Sequence, residues 1–156
     1  MSSKAYIKSD AFRLFLDEPL RRNACEAVEK FLDSHAHIDN VQLHSIPSVI
    51  QGGGTKGFKD LVENQKKKNT KAKNKKFWEF LDDLVFASPG PEFSLRSFIR
   101  QQSGVQELLR DETRVSEKRE QKQIRKANRA LVDEIMKHVL PIYFEHFNCH
   151  YFYMNR

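Results

Sequence analysis

Apolar residues in this chain recur at intervals of three and four, segment after segment, and no segment alternates apolar with polar as a half-buried strand would. That single pattern restricts the chain to helix packed on helix. Leu20, Ala24, Val28, Phe31 and Leu32 lie on one face of a 3.6-residue period. Asp17, Glu18 and Pro19 open this helix, with acids near its positive end and proline where no N–H is missed. A shorter helix is expected before it, with Phe12, Phe15 and Leu16 inward. Phe77, Phe80, Leu81, Leu84 and Val85 form another stripe, closed by Ser88, Pro89, Gly90 and Pro91, the best internal boundary in the chain.

Between these lies a more broken stretch. Asp33 to Asn40 is polar and reads as a turn. Val41, Leu43, Ile46, Val49 and Ile50 come next, with Pro47 among them, so this helix is expected to start near Ser45 or to kink there. Gly52, Gly53 and Gly54 should end it, because glycine takes left-handed backbone angles cheaply. Thr55 is then a candidate cap for a short helix with Phe58, Leu61 and Val62 inward. Further on, Phe93, Leu95, Phe98 and Ile99 predict a helix, Gly104 a break, and Val105, Leu108 and Leu109 another turn. The longest candidate runs from Thr113 to Val139 through Ile124, Ala127, Leu131 and Ile135, and Pro141 should end or kink it. The aromatic tail over 142–156 is open to helix or strand; as a helix, Phe144, Phe147 and Tyr151 would share a face. The reading is an all-α, single-domain bundle of about five to seven helices.

With 156 residues the chain can bury a real core, and its formal net charge of +6 favours an acidic partner such as nucleic acid. Cys25 and Cys149 have no metal-like spacing and read as free thiols of a reducing compartment. With neither a signal pattern nor a long apolar run, a cytoplasmic protein without membrane association is expected, or a nuclear one in a eukaryote.

Two basic surfaces stand out. Lys66, Lys67, Lys68, Lys71, Lys73, Lys75 and Lys76 form a run of seven lysines without an acid. Their mutual repulsion predicts a mobile loop over 64–76 until an anion neutralises it. Arg114, Lys118, Lys122, Arg125 and Arg129 are spaced 4, 4, 3 and 4, which lines one edge of a helix. Such a rail, about 22 Å long at 1.5 Å per residue, suits a phosphate backbone. Residues 110–129 hold eight basic side chains and four acids.

Competing chemistries fit the residues less well. The stretch from Gln51 to Gly57 lacks the lysine–hydroxyl pair of a phosphate loop. His35 and His37 form a dyad in a polar turn, and His146, Cys149 and His150 could supply ligands from one short stretch. No second cluster completes a structural zinc set, so no cofactor and no catalytic residue are expected. A small histidine- or metal-dependent hydrolase remains the alternative from another class, beside a stand-alone helical nucleic-acid-binding or regulatory module. Tyr151, Phe152 and Tyr153 could stack on bases or bury against a partner.

Several segments resemble one family. Arg21, Arg22, Ala24 and Val28, then the stretch from Ser45 through Pro47 and Ile50 to Gly53, then Phe77, Trp78, Phe80 and Leu84 are similar to the small helical subunit of type III-B CRISPR effector complexes, the fifth protein of the Cmr complex. Residues from Gln123 to Phe147 resemble its last long helix more loosely. The resemblance implies a non-catalytic structural subunit of an antiviral ribonucleoprotein. Such a subunit stacks on itself and on other subunits beside the guide RNA and its target. Arg21 and Arg22, the lysine run and the Arg114–Arg129 stripe are then the expected contacts to the RNA backbone.

Overall fold

A computed structural model describes residues 2–34, 40–68, 72–87 and 94–154. The chain forms an all-α, single-domain bundle, and six of its helices run seven residues or more. Serines start the first two helices. Ser2 Oγ accepts from the Ala5 amide at 3.2 Å to begin α1 (Ser3–Ile7), and Ser9 Oγ accepts from Phe12 at 3.2 Å to begin α2 (Asp10–Leu16). Helix α1 was not expected from periodicity; its five residues are too few to show a stripe, and Tyr6 is its buried residue. Helix α3 (Glu18–Asp33) starts with Pro19 in its first turn and buries Leu20, Ala24, Val28 and Phe31 as the period requires. The polar turn expected after it falls largely on residues outside those described.

Helix α4 (Asn40–Lys68) departs from expectation in three places. It starts at Asn40 rather than near Ser45 and carries Pro47 inside it. Leu43, Ile46 and Ile50 are buried along this stretch while Pro47 is exposed, so core packing holds the turn that proline alone would release. The helix breaks at Gly54, whose φ of 64° and ψ of −154° are non-helical, so the expected glycine stop falls on the last of the three. Thr55 does not cap the helical turns after this break: its Oγ1 is buried without a hydrogen-bond partner among the described residues.

The lysine stretch expected as a loop over 64–76 is helical at both ends. Helix α4 reaches Lys68 and α5 (Ala72–Phe86) resumes at Ala72. The buried stripe of Phe77, Trp78, Leu81 and Leu84 carries α5 back toward its lysines, because packing outweighs charge repulsion along a solvated face. The proposed boundary at Ser88 to Pro91 lies outside the described residues. Ser94 Oγ accepts from Ser97 at 3.3 Å and opens α6 (Leu95–Gln101).

The next break comes at Gln102, with extended φ and ψ of −67° and 133°, and not at Gly104, which sits inside α7 (Ser103–Leu108). Gly104 is required for another reason: a Cβ there would lie 2.5 Å from Cε2 of Tyr6. Thr113 likewise does not begin the long helix. Asp111 Oδ1 accepts from the Thr113 amide at 2.9 Å and its hydroxyl at 2.6 Å, turning the chain into a 3-10 helix over Glu112–Arg114.

Helix α8 (Lys118–Met154) then runs on through Pro141 to Met154 and settles the aromatic tail as helix. Pro141 and Lys137, the residue whose carbonyl loses its amide partner, are both exposed, so water can supply the missing bond. The C-terminal half of α8 is the spine of the core: Val132, Ile135, Met136, Val139, Leu140, Tyr143, Phe144, Phe147 and Tyr151 are all buried. It packs chiefly on α3 and α4. Phe144 meets Phe58 of α4 at 5.0 Å between ring centroids, and Phe31 of α3 meets Phe77 of α5 at 5.1 Å. Among the described residues, no helix is long and apolar enough to cross a membrane.

Candidate polyanion interface

The two halves of α8 differ sharply. Between 118 and 130 no residue is buried; Ile124 is half-buried and Ala127, expected inward, is exposed. Among the described residues, the 110–115 segment is bonded to this half through Asn128, Gln121 and Arg125. Six of these thirteen residues are basic (Lys118, Arg119, Lys122, Arg125, Lys126, Arg129) and one, Glu120, is acidic. The resulting +5 compares with +6 for the whole chain.

The 109–115 segment straps this half-helix on one side. The Arg110 amide donates to Asn128 Oδ1 at 3.0 Å, and Asn128 Nδ2 returns a bond to the Arg110 carbonyl at 2.8 Å. Gln121 Nε2 donates to the Val115 carbonyl at 2.7 Å, and Arg125 pairs with Glu112. The expected stripe is therefore shorter than predicted. Lys118, Lys122, Arg125 and Arg129 share α8, over about 17 Å at 1.5 Å per residue, and all four are exposed. Arg114 is not on it: it belongs to the 3-10 turn and lies 3.8 Å from Asp111. Two bonds from Thr113, and then the Arg114 charge, hold the Asp111 carboxyl below its usual range.

Strap, α6 and α8 enclose a cleft of about 590 Å³ lined by five arginines: Arg96, Arg100, Arg110, Arg125 and Arg129. Three of these (Arg96, Arg100 and Arg110) were not among the candidates read from sequence. Arg96 and Arg100 do stand four apart on one helix, a signal that was visible but carried no charge run. Arg96 is a structural anchor, its side chain 11% exposed. Nη1 donates to the carbonyl of Phe86, the last residue of α5, Nη2 donates to Asp133 at 3.0 Å, and the guanidinium lies 5.7 Å from the Phe86 ring centroid. Its Nε–H, and that of Arg100, are buried with no acceptor among the described residues. The three acids of the cleft are already engaged: Asp133 by Arg96, Glu112 by Arg125, and Asp111 by Thr113 and Arg114. Among the described residues, Arg100, Arg110 and Arg129 have no carboxylate partner.

The other expected contacts are more dispersed. Lys66 is not a free cation: its Nζ donates to Asp82 Oδ2 at 3.0 Å across the α4–α5 pair, and this bond raises its pKa. Lys67, Lys68, Lys75 and Lys76 are exposed; Lys71 and the side chain of Lys73 lie outside the described residues. Arg22 is tied to Glu18 at 2.8 Å, which lowers the Glu18 pKa, and borders a smaller cavity with Glu26 and Asn23 whose charge is mixed; Arg21 is exposed.

The histidine cluster is not assembled as a metal set. His146 Nε2 lies 3.1 Å from the Leu16 carbonyl, His150 Nε2 lies 3.2 Å from Glu29, and Cys149 is exposed. Among the described residues, no three His, Cys, Asp or Glu side chains converge on one point. His35 and His37 lie outside those residues. Of the tail aromatics, Tyr151 is fully buried and serves the core, Phe152 stacks on His44 at 5.0 Å, and Tyr153 is 63% exposed. Searches of protein-family models, of curated proteins and of solved structures each find no match to this chain.

Proposed function

We propose that the chain is a non-catalytic RNA-binding scaffold that grips the phosphate backbone along the exposed half of α8 and the adjoining arginine cleft. It would serve as a structural subunit of a ribonucleoprotein, as the resemblance to the small Cmr subunit implies. One observation carries the reading. Residues 118–130 hold six basic side chains against one acid, and none of the thirteen is buried. A helix half that contributes nothing to the core, yet is strapped by four side-chain interactions, is kept rigid for contact with something outside the fold. Arginines and lysines at helical spacing follow a phosphate backbone and read no base, so the grip is blind to sequence. The exposed lysines that end α4 and begin α5 would add long-range attraction.

The test is the salt dependence of binding to single-stranded RNA, followed by fluorescence anisotropy. Log K should fall with log salt by about 0.7 for each phosphate neutralised. Lys122→Gln and Arg129→Gln should each reduce that slope by about 0.7. A slope near zero, or a slope that neither substitution changes, would sink the proposal.

A further inference from the structure

The arginine cleft differs from the open face of α8, and its chemistry is more selective. Five arginines and three acids line it, a surplus of two positive charges. Two of those arginines are committed to internal acids, and Arg100, Arg110 and Arg129 remain. The Nε–H of Arg100 is buried with no hydrogen-bond partner among the described residues, so this guanidinium is not fully paired inside the fold. A phosphodiester within a strand carries one charge and is held on both sides by sugar. A phosphomonoester carries about −1.5 to −2 at neutral pH and has three acceptor oxygens on a free end. It matches the surplus charge of the lining. A volume of about 590 Å³ also leaves room for a nucleoside behind the phosphate, against the apolar surface of Leu109 and Val132.

We infer that this cleft receives a phosphomonoester, and, resting on the RNA reading above, that its source is the phosphorylated end of a strand. Arg100 of α6, Arg110 of the strap and Arg129 of α8 all line the cleft, so three separate elements each bring an arginine to a phosphate held there. Asn128, the one amide side chain in the lining, spends its carbonyl oxygen and its amino group on the Arg110 backbone. That pairing holds Asn128 to the strap, and the arginines around it contact phosphate, which carries no base information.

The experiment compares oligouridine strands that end in a 5′-phosphate, a 3′-phosphate or hydroxyls only, with uridine monophosphate and uridine as free ligands. At fixed salt, a phosphorylated end should improve affinity about tenfold or more through its charge-assisted bonds. That preference should vanish in Arg100→Gln and in Arg129→Gln and survive in Lys8→Gln, a charge control on the exposed turn after α1. If uridine monophosphate binds with the same arginine dependence but no strand binds, the cleft holds a free nucleotide and the backbone reading falls. If all strands bind equally and uridine monophosphate binds no better than uridine, the cleft inference is overturned and the backbone reading stands. The comparison in the unsubstituted protein decides this even where a variant fails to fold.

Discussion

Gly104→Ala sets two effects of opposite sign against each other at one atom. The residue is second in α7, where alanine in place of glycine gains roughly 0.5–1 kcal/mol of backbone entropy. The added Cβ, however, would lie 2.5 Å from Cε2 and 2.9 Å from Cδ2 of Tyr6. Carbon atoms pack at about 3.5–4.0 Å, so the ring or α1 must retreat by about an ångström. Tyr6 is 2% exposed and its ring centroid is 5.3 Å from that of Phe12, so retreat disturbs a packed cluster. Overpacking of this kind costs about 1–3 kcal/mol, which outweighs the entropy gain and leaves a net loss of about 1 kcal/mol. For a chain of this length that is a drop of about 2–4 °C in Tm. The decisive version uses Tyr6→Ala as a second background. With the ring gone, only the entropy term remains, and Gly104→Ala becomes stabilising by about 0.5–1 kcal/mol. Urea denaturation of the four proteins measures both steps. The reasoning is refuted if alanine stabilises the otherwise unsubstituted protein, or if its effect has the same sign in both backgrounds.

Two further outcomes concern side chains in the core and at its edge. The Tyr143 hydroxyl is fully buried with no hydrogen-bond partner among the described residues, and burial pushes its pKa far up. Tyr143→Phe should therefore leave stability unchanged or raise it by up to about 1 kcal/mol, and a loss in thermal denaturation larger than that would reveal a bond to the hydroxyl. The Lys66–Asp82 pair, with side chains 32% and 25% exposed, should contribute about 0.5–1 kcal/mol that Asp82→Asn removes. Because the folded pKa of Lys66 is raised above 10.5, that contribution is present in full below this value and disappears as pH rises through the folded pKa. The stability gap between the two proteins should be level across neutral pH and close in strong alkali; a gap that persists there would exclude the ion pair as its origin.

The elements that were legible were those whose signal is local and long. Leu20 through Phe31 and Phe77 through Val85 repeat on one face for three turns or so, and both became core stripes. Gly52 to Gly54 marked a stop that Gly54 provides. The errors share a different cause. Pro47 and Pro141 are weak breakers here because the turns around them are fastened by buried neighbours or bordered by water. Gly104 was read for backbone freedom when its value is the space that Tyr6 occupies, a residue about a hundred positions away. Half of the candidate site was visible as a charge pattern on α8. The other half, Arg96, Arg100 and Arg110, carried no charge run, and only the fold joins the α6 pair to the strap.

The amino-acid sequence by itself determined that this chain is helical, which faces of its long helices are apolar, and that its excess charge is positive. Those properties depend on spacing within one or two turns, and the chain carries them into any fold. Only tertiary packing decided which cations are free. It gave Lys66 to Asp82, Arg96 to Asp133 and Arg125 to Glu112, and left Arg100, Arg110 and Arg129 without a carboxylate among the described residues. It also left residues 118–130 outside the core while the same helix, fourteen residues further on, is buried around Phe144. Whether a charge is spent or available depends on what lies across from it, and that is a property of the assembled bundle.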